Sequence, residues 1–235
     1  MESLSKVAVI GMGRIGTVLA TNLVKGNRAV IVADRTTAKA EALAKSLGRL
    51  ATPRDVAAAI KEADLVVLAV WYDTIKEFLK KYSVELQGKT IIDPSNPLAL
   101  VEGGGFKKII ADDQSAGQIL STLLPEGARL VKALGSLSAD SLSQKAFQQP
   151  ERAVLFYASD DTSIKEQIEG LIQAIGFDPL RIGGINQSIR IETFGDLAEY
   201  GALGRTVTLA EAKAKVYHGY FFIWVGSNAI LNEAF

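Results

Sequence analysis

The chain has 235 residues, 48% apolar and 22% charged, enough to bury one large core or a core plus a smaller domain. Its formal net charge is zero, with no block of like charge suited to a nucleic acid or a membrane surface. The absence of cysteine excludes disulfides and thiolate chemistry, and the single histidine excludes a histidine-rich metal site. The first apolar run starts at about Lys6, which leaves no room for a leader peptide. We therefore expect a cytoplasmic protein that acts on a small molecule.

Short apolar runs alternate with segments of helical period along most of the chain. The runs are continuously apolar, as parallel strands buried on both faces require. Two helices are predicted from their ends. One begins at a Thr52 cap with Pro53 in its first turn, and the other runs from Thr162 to a stop at Gly176. This alternation predicts a doubly wound α/β fold with a mainly parallel sheet. The predicted strands are Val7 to Ile10, Ala29 to Ala33, Leu65 to Val70, Thr90 to Ile92, Leu130 to Ala133, Val154 to Tyr157 and Leu180 to Ile182.

A glycine-rich turn directly follows the first strand and opens a helix. Such a triplet is weak by itself, but here it lies in a βαβ unit whose second strand ends at Asp34, eighteen residues past the last glycine. In this context the glycines permit a tight turn, approach of a pyrophosphate and close helix packing. The pattern therefore predicts a dinucleotide site. Its residues are Gly11, Met12, Gly13, Arg14, Ile15 and Gly16.

The end of the second strand bears on the choice of dinucleotide. Asp34 can accept hydrogen bonds from the adenine ribose and repel a 2′-phosphate, which favours NAD. Arg35 and Lys39 can instead pair with a 2′-phosphate, and the Thr36 hydroxyl is a further donor. Several potential donors to a 2′-phosphate lie together here, and only one carboxylate would repel it. The sequence therefore favours NADP and leaves NAD possible.

The strand pattern stops near Ile182, so we predict an NAD(P)-binding Rossmann domain over residues 1–182 and a helical C-terminal part over 183–235. A capping box at Thr208 and Glu211 opens one helix of this part. A later helix is apolar almost all round and needs a partner surface, for which a second subunit is the natural candidate. We therefore expect a homodimer through the C-terminal helices. The aromatic residues of that helix are Tyr217, Tyr220, Phe221, Phe222 and Trp224.

Several segments resemble one family, the NADP oxidoreductases that use the 8-hydroxy-5-deazaflavin coenzyme, with their reductase-like relatives such as the cytosolic domain of the STEAP metalloreductases. The resemblance covers most of the chain. The chain departs from these relatives at Asp34, where they usually carry serine, and at residues 134–136, where many carry Phe-Asn-Thr or His-Thr. The segments that resemble the family are GMGRIG, LATNLV, VADRTTAKAEALA, AVWYDTIKEFL, GKTIIDPSNPL, LVKALGSLSADSL and GFDPLRIGGINQSIR.

The resemblance implies an NADP-binding Rossmann domain, a small helical C-terminal part and a dimer. It also implies hydride transfer between the nicotinamide and a deazaflavin or flavin-like ring. Arg35 and Thr36, supported by Lys39, would hold the 2′-phosphate. The nicotinamide end would be bordered by Val70, Trp71, Asn96 and Pro97. Val70 ends one predicted strand and Trp71 follows it, and Asn96 and Pro97 come after the next strand, at the edge where open α/β sheets bind ligands.

Three functions fit the residues. Hydride transfer to a flavin-like ring needs alignment of two rings more than a strong acid. Reduction of a small carbonyl or imine needs a proton donor instead. A dinucleotide-binding sensor without turnover is the third. The candidate donors are Lys132, Ser136, Tyr200 and His218, none of which stands out as a catalytic acid.

Overall fold

The computed structural model describes residues 5–216, and its apolar runs form one twisted sheet with helices on both faces. The predicted aromatic helix and His218 lie outside the described residues. The strands are β1 (Val7–Ile10), β2 (Val30–Ala33), β3 (Ala51–Pro53), β4 (Leu65–Leu68), β5 (Thr90–Asp93), β6 (Leu98–Leu100), β7 (Phe106–Lys108), β8 (Arg129–Ala133), β9 (Val154–Ala158) and β10 (Asp178–Gly183). The helices are α1 (Arg14–Lys25), α2 (Thr37–Leu47), α3 (Val56–Glu62), α4 (Tyr72–Lys81), α5 (Ala116–Ser121), α6 (Ala139–Gln144) and α7 (Lys165–Ala174).

Eight strands pair in the order β10-β9-β8-β5-β4-β1-β2-β3, and all neighbours are parallel except β8 and β9. The predicted doubly wound, mainly parallel Rossmann fold is therefore confirmed. Successive strands run outward from β1 in one direction through β2 and β3, and then in the other through β4 and β5. This reversal creates a crevice between β1 and β4 at their carboxyl ends, where sheets of this kind bind ligands.

The sheet separates two apolar layers because successive side chains of a strand point to opposite faces. In β1, Val7 and Val9 pack on the side that carries α1 and α7, whereas Ala8 and Ile10 pack on the side of α3, α4 and α5. Each of these four side chains is at most 2% exposed. Burial on both faces explains why the strands read as continuous apolar runs.

Several local predictions were wrong. Thr52 and Pro53 do not start a helix; they lie in β3, which pairs in parallel with β2. Asp55 caps α3 instead, and its carboxylate accepts the Ala58 N–H at 2.9 Å. Helix α7 begins at Lys165, three residues after Thr162. The short strand β3 and the antiparallel hairpin of β6 and β7 were not predicted.

The segment after β10 lies across the sheet. A 3-10 helix, Ile185–Ile191, begins with the Ile185 N–H bound to Asp160, and just beyond its end the Thr193 N–H reaches Asn96. The residues that follow cover β9 and β10, where Phe156 packs in one cluster with Val207. The capping box forms as predicted: the Thr208 N–H donates to Glu211 at 2.9 Å.

Helical backbone follows that capping box over residues 209–216. None of the helices described between residues 5 and 216 combines the length and the apolar character needed to cross a membrane. The domain boundary at residue 182 stays a prediction.

Candidate functional site

The glycine-rich turn starts at Gly11, directly after β1 and at the crevice between β1 and β4. The Gly11 N–H donates to the Ala33 carbonyl of β2 at 2.8 Å. Its φ of +98° is strained for any residue with a side chain. A Cβ at Gly11 would lie 2.6 Å from the Ala69 oxygen and 2.7 Å from Val70 Cγ1. Glycine is therefore required here both by the turn and by the approach of the segment after β4.

The other two glycines have different surroundings. A Cβ at Gly16 would lie 1.8 Å from the Gly11 carbonyl oxygen, so Gly16 lets α1 pack directly on the turn. Gly13 is the N-cap of α1 and has extended backbone, and a Cβ there would meet nothing within 4 Å. No side-chain hydrogen bond caps α1. The open space at Gly13 and the uncapped helix start fit a pyrophosphate, which would accept hydrogen bonds from the α1 amides.

The remaining residues of the turn differ in exposure. Met12 is buried and Ile15 is half-buried in the layer below α1. Arg14 is exposed, and its guanidinium forms an ion pair with Asp140 of α6 at 2.8 Å. Both of these charged side chains are more than 70% exposed, so the pair contributes little to stability. The Arg14 guanidinium can therefore turn toward a bound phosphate at small cost.

Asp34 connects the glycine turn with the start of α2. One carboxylate oxygen accepts the Met12 N–H at 2.7 Å, and the other accepts the Thr36 N–H at 2.8 Å. Each oxygen keeps further acceptor capacity, but both are already engaged by backbone. In this structure Asp34 is thus a brace between the two nucleotide loops.

The donors predicted to bind a 2′-phosphate lie beside that brace. Arg35, Thr36 and Lys39 are all exposed at the carboxyl end of β2. Thr36 is the N-cap of α2, and its hydroxyl makes no capping bond. Within residues 5–216, neither Arg35 nor Lys39 forms an ion pair. Two cationic side chains, a hydroxyl and a helix start therefore face solvent at one corner of the crevice.

The segment after β4 forms the other side of the crevice. Val70 is half-buried and lies against Gly11, because its Cγ1 would be 2.7 Å from a Cβ placed at Gly11. Trp71 is the N-cap of α4, and 59% of its surface is exposed. An indole with this exposure does not close the sheet. Trp71 instead presents a flat apolar surface at the mouth of the crevice.

The segment after β5 is held by its own amide side chain. Asn96 Nδ2 donates to the Gly135 carbonyl at 3.0 Å, and Asn96 Oδ1 accepts the Thr193 N–H at 2.6 Å. The carbonyl of buried Pro97 accepts the Ile109 N–H at 2.9 Å. The Asn96 side chain therefore joins three loops that come together from distant parts of the chain.

Beneath these loops is a buried ion pair that the sequence pattern does not reveal. Lys132 Nζ lies 2.8 Å from Asp93 Oδ2 and also donates to the Ser95 carbonyl, and both charged side chains are at most 1% exposed. Asp93 Oδ1 accepts the Ser95 N–H at 2.7 Å. The Lys132 ammonium is consequently bound within the protein, which argues against Lys132 as the proton donor among the four candidates.

Ser136 is also unsuited to donate a proton to a substrate. Its hydroxyl is buried and has no hydrogen-bond partner within the described residues. Ser136 does not cap a helix either, because Ser138 caps α6 by accepting the Ser141 N–H at 3.1 Å. Tyr200, by contrast, is 65% exposed, and its neighbour Glu199 is fixed by an N–H bond to the Ser136 carbonyl at 2.8 Å.

Two further residues at this edge were missed. Phe194 is 54% exposed and has a φ of +75°, a strained conformation for a bulky residue. It is adjacent to Thr193, the residue that bonds Asn96. Tyr72 is buried next to Trp71, and burial raises the pKa of its hydroxyl, with Asp73, Glu192 and Asp93 adding to the effect and Lys76 opposing it. The only signal in the sequence was that residue 194 is aromatic, because its exposure depends on the fold.

Comparisons with known proteins find similar oxidoreductases. Residues 6–97 match the family described as NADP oxidoreductase, coenzyme F420-dependent. The chain is 26% identical over 203 residues to the F420-dependent NADP reductase of Methanocaldococcus jannaschii, an alignment that covers 82% of this chain and 90% of that relative.

Solved structures share the fold. A hypothetical protein from Sinorhizobium meliloti superposes with a TM-score of 0.76 at 26% identity, over 88% of this chain and 97% of that one. A putative F420-dependent NADP-reductase from an Arthrobacter species gives a TM-score of 0.66 at 22% identity, over 78% and 87% of the two chains. The resemblance predicted from the sequence is thereby confirmed: residues 6–97 match the coenzyme F420-dependent NADP oxidoreductase family, and the similarity to a reductase of this kind over most of the chain indicates an NADP-dependent oxidoreductase.

Proposed function

We propose that this oxidoreductase transfers a hydride between NADP(H) and a deazaflavin or flavin-like ring. The observation that carries the proposal is the composition of the carboxyl edge of the sheet. Three exposed aromatic residues lie in or next to loops at this edge, whereas Lys132 and Ser136, two candidate proton donors, are buried. When bound, the nicotinamide supplies the hydride chemistry, and the protein has to bind it, orient it and keep water away.

The nucleotide end of the proposal rests on Arg35, Thr36 and Lys39. Their exposure at the end of β2 leaves them available to a 2′-phosphate. Asp34 opposes this reading less than its charge suggests, because each of its oxygens is engaged by a backbone N–H. A guanidinium binds a phosphate with short, charge-assisted hydrogen bonds, which gives NADP its advantage over NAD.

The acceptor end rests on Trp71, Phe194 and Tyr200. These side chains are 59%, 54% and 65% exposed. Trp71 follows β4, and the residues that precede Phe194 and Tyr200 bond loops at the same edge of the sheet. A planar conjugated ring can stack on such surfaces, and stacking aligns two rings for hydride transfer. The relative from Methanocaldococcus jannaschii carries F420, a deazaflavin, in its name, which supports the same class of acceptor.

The nucleotide preference is tested by replacing Arg35→Ala and measuring the Kd of NADPH and of NADH. Loss of a charged hydrogen bond of about 1.5–3 kcal/mol should weaken NADPH binding by about 10- to 100-fold and NADH binding far less. Lys45→Ala is the matched control, because it removes one exposed positive charge from the far end of α2. Equal losses for both nucleotides would overturn the NADP assignment.

The acceptor is tested with a panel of a deazaflavin, flavin mononucleotide and simple ketones or imines. Turnover of the deazaflavin or the flavin supports the proposal. Turnover of ketones or imines alone supports the carbonyl or imine reductase, for which exposed Tyr200 is the remaining donor among the described residues. Tight nucleotide binding without turnover of any acceptor supports a sensor.

The assembly is proposed from the sequence alone. We propose a homodimer formed through the C-terminal helices, with the aromatic residues of 217–235 at the contact. Sedimentation of the full chain is the direct measurement, and a monomer at micromolar concentration would overturn this proposal. A cytoplasmic location likewise stays a prediction.

A further inference from the structure

The buried pair of Lys132 and Asp93 is placed where it can control the loop that borders the nicotinamide. Asp93 ends β5 and Lys132 lies in β8, and the two residues are direct partners across the parallel strands. Both side chains point into a fully buried position, at 0% and 1% exposure. Burying two charges is costly, and apolar residues of similar volume would often serve stability as well or better. The pair therefore calls for an explanation other than stability.

The hydrogen bonds of the pair supply one. Asp93 holds the Ser95 N–H, and Lys132 holds the Ser95 carbonyl, so both backbone groups of one residue are fixed by the two charges. The next residue is Asn96, whose side chain bonds Gly135 and Thr193. Rigidity imposed at Ser95 is consequently passed to the residue that joins three loops of the site.

We propose that Lys132 and Asp93 are positioning residues that fix the Ser95–Asn96 backbone, so that the nicotinamide is held at the distance and angle needed for hydride transfer. Neither side chain touches the nucleotide, because both are buried beneath the loop. The inference rests on the proposed hydride-transfer function. A misplacement of about 1 Å can lower a rate by about 100-fold, so a loop anchor has a large effect without contacting the reacting atoms.

The test compares Lys132→Met with the double variant Lys132→Met, Asp93→Leu. The single variant leaves an unpaired buried carboxylate and should unfold at a lower temperature, whereas the double variant should recover much of the thermal midpoint. Positioning predicts that the single-turnover hydride-transfer rate stays about 10- to 100-fold low in both variants. The Kd of NADPH should change by less than about threefold, because the phosphate contacts remain. Recovery of the rate together with stability in the double variant would overturn the proposal.

Lys89→Met is the matched control. Lys89 Nζ also donates to two backbone carbonyls, those of Lys61 and Ala63, but it lies at the opposite end of β5. Its removal should lower stability and leave the hydride-transfer rate within about twofold of wild type. An equal rate loss in Lys89→Met would show that the effect is general loosening. If the double variant does not accumulate, Lys132→Met alone decides, because methionine cannot donate a hydrogen bond to the Ser95 carbonyl, and a wild-type rate in it would contradict the proposal.

A second readout separates this proposal from the choice of acceptor. The fluorescence of bound NADPH reports the surroundings of the nicotinamide whatever ring accepts the hydride. A displaced loop should change its intensity in both Lys132 variants and leave it unchanged in Lys89→Met. Wild-type protein that binds NADPH but reduces no flavin or deazaflavin would overturn the proposed acceptor, while the fluorescence would still decide the positioning role.

Discussion

Gly16 and Gly13 provide a sharp test of the nucleotide site, because the same change has opposite consequences at two positions three residues apart. In Gly16→Ala, the added Cβ would lie 1.8 Å from the Gly11 carbonyl oxygen. The Gly11 carbonyl belongs to the backbone and cannot move aside as a flexible side chain can. The cost of overpacking should therefore be at the upper end of the usual range, about 3 kcal/mol. Alanine recovers about 1 kcal/mol through its helix propensity. The net loss is about 2 kcal/mol, or about 4–8 °C in Tm for a chain of this size.

In Gly13→Ala, the added Cβ meets no protein atom within 4 Å and the backbone is already extended. The Tm of the ligand-free protein should therefore stay within about 2 °C of wild type, since surface changes are usually within about 0.5 kcal/mol. The methyl group would occupy the space assigned to the pyrophosphate, so the Kd of NADPH should rise by at least about tenfold. Calorimetry gives Tm and fluorescence titration gives Kd. A destabilised Gly13→Ala, or one that binds NADPH normally, would refute the assignment of roles to the glycines.

Three other predictions concern the frame around the site. Asp55→Ala should cost about 1 kcal/mol of stability by removing the cap of α3, whereas Thr52→Ala, in the strand that precedes it, should cost less; equal losses would contradict the observed cap. The Arg205 guanidinium holds the pKa of Glu211 at about 2, so the stability supplied by this carboxylate is complete above its ordinary value of 4.5 and is lost as pH falls toward 2; an NMR titration midpoint near 4.5 would contradict this. Asp34→Asn removes one acceptor of a backbone N–H and should lower ligand-free stability by about 1–3 kcal/mol in thermal unfolding, whereas an unchanged Tm would refute the brace.

The sheet was largely predictable because a central strand that is buried on both faces consists of a continuous run of apolar residues. Pairing with distant residues was not predictable. Thr52 and Pro53 match the start of a helix locally, but pairing with β2 places them in a strand. The residue pattern of β9 likewise does not indicate the direction of the strand, so its antiparallel pairing with β8 could not be predicted from the sequence.

The site divides in the same way. The glycines and the donors after β2 lie within one βαβ unit, so their neighbourhood follows from short-range pattern. Asp93 and Lys132 are 39 residues apart and meet only because β5 pairs with β8. The available signal was a charged residue at or near the end of each of two apolar runs. That signal indicates a buried pair only when the register of the strands is known.

Asp34 shows why donors and acceptors cannot simply be counted to choose a nucleotide. In the sequence, its carboxylate stands against Arg35 and Lys39 as a mark of NAD. In the structure, the same carboxylate holds the Met12 and Thr36 backbone N–H groups and thereby sets the spacing of the two loops that would hold the nucleotide. A residue needed to shape the loops is retained whichever nucleotide binds, so its presence says little about the ribose. The exposed cations are under no comparable structural demand among the described residues, and the nucleotide preference should therefore follow Arg35.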